Sequence, residues 1–181
     1  GEKLEEFVNK TVKNTPMEKL KIPFYAVAAD IQSGQEVAFG RGNTGMAVRA
    51  SCSIPGVFRP VKIGERVYVD GGVVSPVTVD VAKQFGADIV IAVDISAGAD
   101  RILPENTIET ILRSYDIMYS KLASIQILKA DVVIKPKVSH VGSADFSKRH
   151  EAILEGERAA IETLPQVMQI VNRLRLEGRL E

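Results

Sequence analysis

Asp70 is the residue of this chain whose neighbours best suit it to chemistry. It closes the run Arg66 to Val69 and stands directly before Gly71 and Gly72. A carboxylate beside two glycines sits where the backbone can turn sharply and come close to a ligand, a setting that suits a base. The same spacing has a plain structural reading. Val67 to Val74 is apolar on both sides of Asp-Gly, which is a strong short-range hairpin signal. Ser51, Cys52 and Ser53 form a polar cluster that invites a nucleophile reading. None lies in a Gly-x-Ser-x-Gly elbow, and no such elbow occurs anywhere in the 181 residues. Cys52 reads instead as a buried small hydrophobe.

Two further features carry less. Gly40-Arg41-Gly42-Asn43-Thr44-Gly45 matches G-x-G-x-x-G between an expected strand and an expected helix. Nucleotide binding at Gly40 to Gly45 is therefore a weaker alternative. The helix that follows meets Pro55 too soon to serve as the crossover helix of a dinucleotide fold. His140 and His150 fall in a polar, loop-to-helix region and read as surface residues. No Cys/His or His/carboxylate spacing suggests a metal, and no metal or organic cofactor is expected.

The elements that must position Asp70 follow from periodicity. Lys3 to Lys13 has helical spacing, ended by Asn14-Thr15-Pro16. Ile22 to Ala29 is a strand-length apolar run, closed by Asp30 and a turn at Ser33-Gly34, with Glu36 to Phe39 as a hairpin partner. Thr44 to Ser51 reads as a short helix and Arg66 to Val69 as a strand. Pro76 to Phe85 reads as a helix with proline at its first position and Gly86 as its stop. Ala87 to Ile95 is a near-continuous β-branched run, expected as a strand covered on both faces. Thr107 to Ala130 is a long helix whose apolar face includes Ile108, Ile111, Leu112, Tyr115, Met118, Tyr119 and Leu122. Asp131 to Ile134 is a last strand. Lys148 to Glu162 is helical, and Pro165 is expected to open or kink a final helix through Arg175. Gly98 to Pro104 reads as a surface loop.

Composition bounds the function classes. Hydrophobic content of 45% and charged content of 25% are ordinary for a globular domain with a sizeable core. Basic and acidic residues number 23 each, so no global field recruits nucleic acid or anionic lipid. A single cysteine excludes an internal disulfide and favours a reducing, cytoplasmic setting. No apolar run approaches the length of a membrane span, and no signal peptide is evident.

The ordered series Ile22-Pro23-Phe24 to Asp30, Ala47 to Ser51, Ile54-Pro55-Gly56-Val57-Phe58 with Pro60-Val61, and Asp70-Gly71-Gly72 resembles the patatin-like phospholipase family. Pro76-Val77, Gly86-Ala87-Asp88 and Ile91-Ala92-Val93-Asp94 continue it. The resemblance implies an α/β three-layer sandwich with a central parallel or mixed sheet. It also implies a lipid acyl hydrolase, a phospholipase or esterase using a Ser–Asp dyad, with Asp70 as the catalytic base and Gly71 and Gly72 as its motif glycines. The family's serine elbow and Gly-rich oxyanion loop precede this region, and neither occurs here. The resemblance therefore points to residues 1–164 as the C-terminal portion of a patatin-like domain, incomplete at its N-terminal side, with 165–181 as a helical tail. Gly1 in place of Met favours that reading. Ser75 and Thr78 stand where family members often show Asn and Pro. This chain alone is expected to be inactive. The implied partners are a lipid or acyl-ester substrate, a membrane surface touched peripherally, and a second copy or the missing N-terminal part. The alternative is a non-catalytic lipid-binding or interaction domain on the same fold.

Overall fold

The computed structural model describes residues 1–96, 103–141 and 146–180. They fall into two compact units, Gly1–Thr78 with Pro104–Leu122 and Val79–Leu103 with Ala123–Glu181. The first holds α1 (Glu2–Thr11), β1 (Ala26–Asp30), β2 (Glu36–Phe39), α2 (Thr44–Ser51), β3 (Val61–Ile63) and β4 (Arg66–Asp70). The second holds α3 (Val79–Gln84), β5 (Ile91–Val93), the end of α4 (Thr107–Gln126), β6 (Val132–Ile134) and α5 (Arg149–Leu176).

The sheet of the first unit runs β2-β1-β4-β3, and every pairing is antiparallel. This sheet therefore departs from the expected parallel or mixed one, and parallel pairing is found in the second unit instead. Short hairpins join β1 to β2 and β3 to β4, and a short link can only return a strand antiparallel to its neighbour. Asp30 closes the first hairpin by accepting hydrogen bonds from the Gln32 and Ser33 N–H groups, at 2.9 and 3.4 Å. β1 begins at Ala26, not at Ile22. Pro23 has no N–H to give a ladder, and Lys21 to Tyr25 lie exposed.

All five residues of β1 are buried. Ala47 of α2 packs with Met17 and Ala26, and Ala50 packs with Ala28, Val61 and Tyr68. These alanines bring α2 close to the sheet, and Phe39 meets Tyr68 edge-to-face at 5.0 Å. On its other side α2 meets α1. The Arg49 guanidinium pairs with Glu5 at 3.0 Å, and Gly45 lies so close that a Cβ there would strike the Glu5 carbonyl oxygen.

In the second unit β5 and β6 pair in parallel, Ile91 opposite Val132. The expected strand over Ala87 to Ile95 shrinks to three residues. Its expected burial on both faces is also corrected, because Ala92 is buried while Ile91 and Val93 are 45% and 54% exposed. Asp94 ends it, accepting from the Ser96 N–H at 2.9 Å and pairing with Lys135 at 3.0 Å. α3 starts at Val79 instead of Pro76. Along α4, Leu112, Tyr115, Tyr119 and Leu122 of the expected apolar face are partly buried, while Ile108, Ile111 and Met118 are exposed. α5 runs unbroken through Pro165, which forfeits one intrahelical hydrogen bond without ending the helix. The expected boundary between 164 and 165 falls inside that helix. The expected loop at Gly98 to Pro104 falls largely on residues 97–102, outside the described residues.

The α1–α2 contact predicts that Gly45→Ala destabilises the protein by about 1–3 kcal/mol, an overpacking cost against backbone. Gly156→Ala, whose Cβ would meet nothing within 4 Å, should leave the melting temperature unchanged or slightly raised. Thermal unfolding of the two variants beside the parent chain checks both.

Candidate active site

β4 delivers Asp70 to the end of the sheet and stops there. The chain then enters a 3₁₀ turn, Gly71–Val73, capped by Asp70 itself: the Gly72 N–H donates to Asp70 Oδ1 at 2.7 Å. The hairpin reading of Asp-Gly is therefore corrected, since no strand returns from Gly71 to pair with β4. The Asp70 N–H donates to the Ser53 carbonyl at 2.9 Å, tying the strand end to the segment after α2.

The two glycines serve close approach, not a left-handed turn, and neither has a positive φ. A Cβ on Gly71 would strike the Val27 carbonyl oxygen of β1. A Cβ on Gly72 would lie 2.6 Å from Tyr119 Cε2 and 2.9 Å from both Asp70 Oδ1 and the Tyr115 hydroxyl. Gly72 thus leaves room for the Tyr119 ring and for the Tyr115 hydroxyl beside the carboxylate. The Tyr115 hydroxyl stands beside the Asp70 carboxylate, and the Tyr119 hydroxyl points to the Pro76 carbonyl at 3.5 Å.

A cleft of about 360 Å³ opens over Asp70, walled by Phe24, Tyr25, Ser51, Cys52 and Tyr119 among others. That volume lies at the small end of ligand clefts. Burial pushes the Asp70 carboxyl above its ordinary value, against the opposing pull of the Gly72 N–H and the Tyr115 hydroxyl. Burial, then the Asp70 charge, pushes the Tyr115 phenol up as well. Cys52 is exposed, which corrects its reading as a buried hydrophobe. Its thiol still faces the crowded cleft wall, and that partial burial together with Asp70 raises it, so it stays a neutral thiol near pH 7.

The remaining sequence candidates separate cleanly. Ser53 is buried and donates its hydroxyl to the Arg49 carbonyl at 2.7 Å, which occupies it structurally. Ser51, Ser75 and Thr78 line the cleft. His140 is exposed and pairs with Glu151 at 2.7 Å, and His150 is exposed too. In the Gly40 to Gly45 loop the Gly42 and Gly45 N–H groups are already engaged. Gly42 donates to Glu18, Gly45 to Asn9 and Met46 to Asn43, each at 2.8–2.9 Å. Glu18 places a carboxylate where a phosphate would have to sit, which removes the support for nucleotide binding. Among the described residues no group of His, Cys, Asp and Glu is arranged to hold a metal, and no helix is long and apolar enough to cross a membrane. Tyr115 and Tyr119 are the site residues that sequence reasoning missed. Their i, i+4 spacing looks like core, and only the phenolic hydroxyls hint at a polar task.

Residues 1–83 match the family described as patatin-like phospholipase. An uncharacterized NTE family protein of Mycobacterium bovis is 29% identical over 198 residues, covering 93% of this chain and 34% of its own length. A lysophospholipase of Aspergillus niger is 30% identical over 54% of this chain and 6% of its own length. A patatin-like phospholipase domain-containing protein of Mus musculus is 31% identical over 50% of this chain and 7% of its own length. The chain spans about a third of the length of that NTE family relative. The family match thus covers the N-terminal part of the chain, and NTE family relatives align along most of its length.

The raised Asp70 carboxyl has a consequence for stability. Because the folded-state pKa lies above the unfolded one, ionising Asp70 costs stability as pH rises through the folded value, and no cost exists below the unfolded value. Asp70→Asn should therefore melt at or above the parent chain at pH 7, with the difference fading below about pH 4. Thermal melts across that pH range read the sign directly.

Proposed function

We propose that this chain carries the base half of a patatin-like lipid acyl hydrolase, with Asp70 as the carboxylate that accepts a serine proton. The serine comes from outside these 181 residues. The observation that carries the reading is the Asp70 carboxylate itself: half-buried at a strand end, raised by burial, and facing a cleft with aromatic walls. A base needs a pKa moved toward the working pH and a fixed direction, and this carboxylate has support for both.

In the reaction, the serine oxygen bonds to the ester carbonyl carbon while its proton passes to Asp70. The tetrahedral intermediate then collapses, the alcohol leaves with the proton from Asp70, and an acyl-serine remains. Water repeats the sequence, giving up its proton to Asp70, and the acid leaves as the proton returns to serine.

A lipid substrate suits the surroundings. Two exposed runs, Lys21 to Tyr25 and Gly56 to Pro60, carry Ile22, Phe24, Val57 and Phe58 together with Lys21 and Arg59. The first leads into β1 and the second into β3, and antiparallel pairing with β4 brings both to the Asp70 end of the sheet. Apolar side chains flanked by cations fit an anionic lipid surface.

Three outcomes test the proposal. With a chromogenic short-chain ester, the 181-residue chain should give no turnover above a denatured control. In a polypeptide that supplies the serine, Asp70→Asn should cut turnover by about two to four orders of magnitude while thermal unfolding holds, and near-parent turnover would reject the base role. The combined variant Phe24→Ala, Phe58→Ala should co-sediment less with phosphatidylserine-containing vesicles than the parent chain. Equal co-sedimentation would reject the lipid-facing surface.

A further inference from the structure

We propose that Tyr115 is a positioning residue for Asp70, its phenol holding one edge of the carboxylate so that the rest stays turned to the cleft. The inference rests on the reading of Asp70 as a base, and adds a residue that the dyad does not contain.

The geometry at Gly72 carries it. The point where a Cβ would stand is 2.9 Å from Asp70 Oδ1, 2.9 Å from the Tyr115 hydroxyl and 2.6 Å from the Tyr119 ring. Three side chains from two elements therefore converge on one missing methyl group. A carboxylate offers about four acceptor positions on two oxygens. The Gly72 N–H takes one, and the Tyr115 hydroxyl stands beside the same carboxylate as a further donor, which still leaves acceptor capacity for a serine hydroxyl.

The neighbouring tyrosine has a different task. Tyr115 and Tyr119 stand one helical turn apart, with ring centroids 6.1 Å apart and planes tilted by 46°. Tyr119 lays its ring over Gly72 and lines the cleft, with its hydroxyl directed to Pro76. A phenylalanine would fill either ring site, but only at 115 would it take a donor from the carboxylate. Burial and the donors act in opposite directions on Asp70, so removing the phenolic donor leaves the burial effect less opposed.

The test is a carbon-detected NMR titration of the Asp70 carboxyl in the 181-residue chain. Tyr115→Phe should move its midpoint upward, and Tyr119→Phe should leave it in place. In the reciprocal measurement, Asp70→Asn should lower the ionisation midpoint of the Tyr115 phenol, followed by ultraviolet absorbance. An unmoved Asp70 midpoint in Tyr115→Phe, or an equal move in Tyr119→Phe, would overturn the assignment. Neither titration requires turnover, so the positioning role stands or falls separately from the dyad, which the Asp70→Asn turnover measurement decides.

Discussion

The close approach of the Gly71 backbone to the Val27 carbonyl of β1 is the constraint on which the site depends. Any side chain at 71 would push the end of β4 away from its neighbour. With that contact made, the 3₁₀ turn can fold back on the strand end, Asp70 caps it, and the Gly72 N–H meets the carboxylate at 2.7 Å. The Asp70 N–H bond to the Ser53 carbonyl anchors the same point to the segment after α2. The carboxylate is thus held through its own backbone and through the turn that it caps, a firmer mounting than a loop would offer.

That mounting sets an electrostatic balance. Partial burial destabilises the charged carboxylate, while one backbone and one phenolic donor stabilise it. Burial wins, which leaves Asp70 raised yet still held in direction. In the proposed reading Asp70 supplies the base of a constellation whose serine elbow does not occur in these residues. A base by itself retains little of the rate enhancement that nucleophile, base and oxyanion donors give together.

The Gly40 to Gly45 loop shows why a glycine motif needs its surroundings. Its spacing suits a phosphate, but Glu18, Asn9 and Asn43 have taken the N–H groups that a phosphate would need. Gly45 is there because α1 crosses too close to α2 for a side chain. One pattern of glycines serves two different needs, and the donors already occupied tell them apart.

From its residues alone the chain revealed α1, the β1–β2 hairpin, α2 and β4 with Asp70 at its end, because each depends on local periodicity, turn residues or an ordered motif. The shape of Asp-Gly-Gly was not legible: a hairpin and a capped 3₁₀ turn use the same residues, and the packing of Gly71 on Val27 chose between them. The antiparallel sheet, the shortened β5 and the unbroken α5 likewise depend on which neighbours a strand or helix finds. Tyr115 is the clearest case. It lies 45 residues from Asp70 in sequence and reads there as one more apolar position on a helix. Only the fold brings its hydroxyl to the carboxylate, because hydrogen bonding over that separation depends on where two elements pack and not on what either sequence segment prefers.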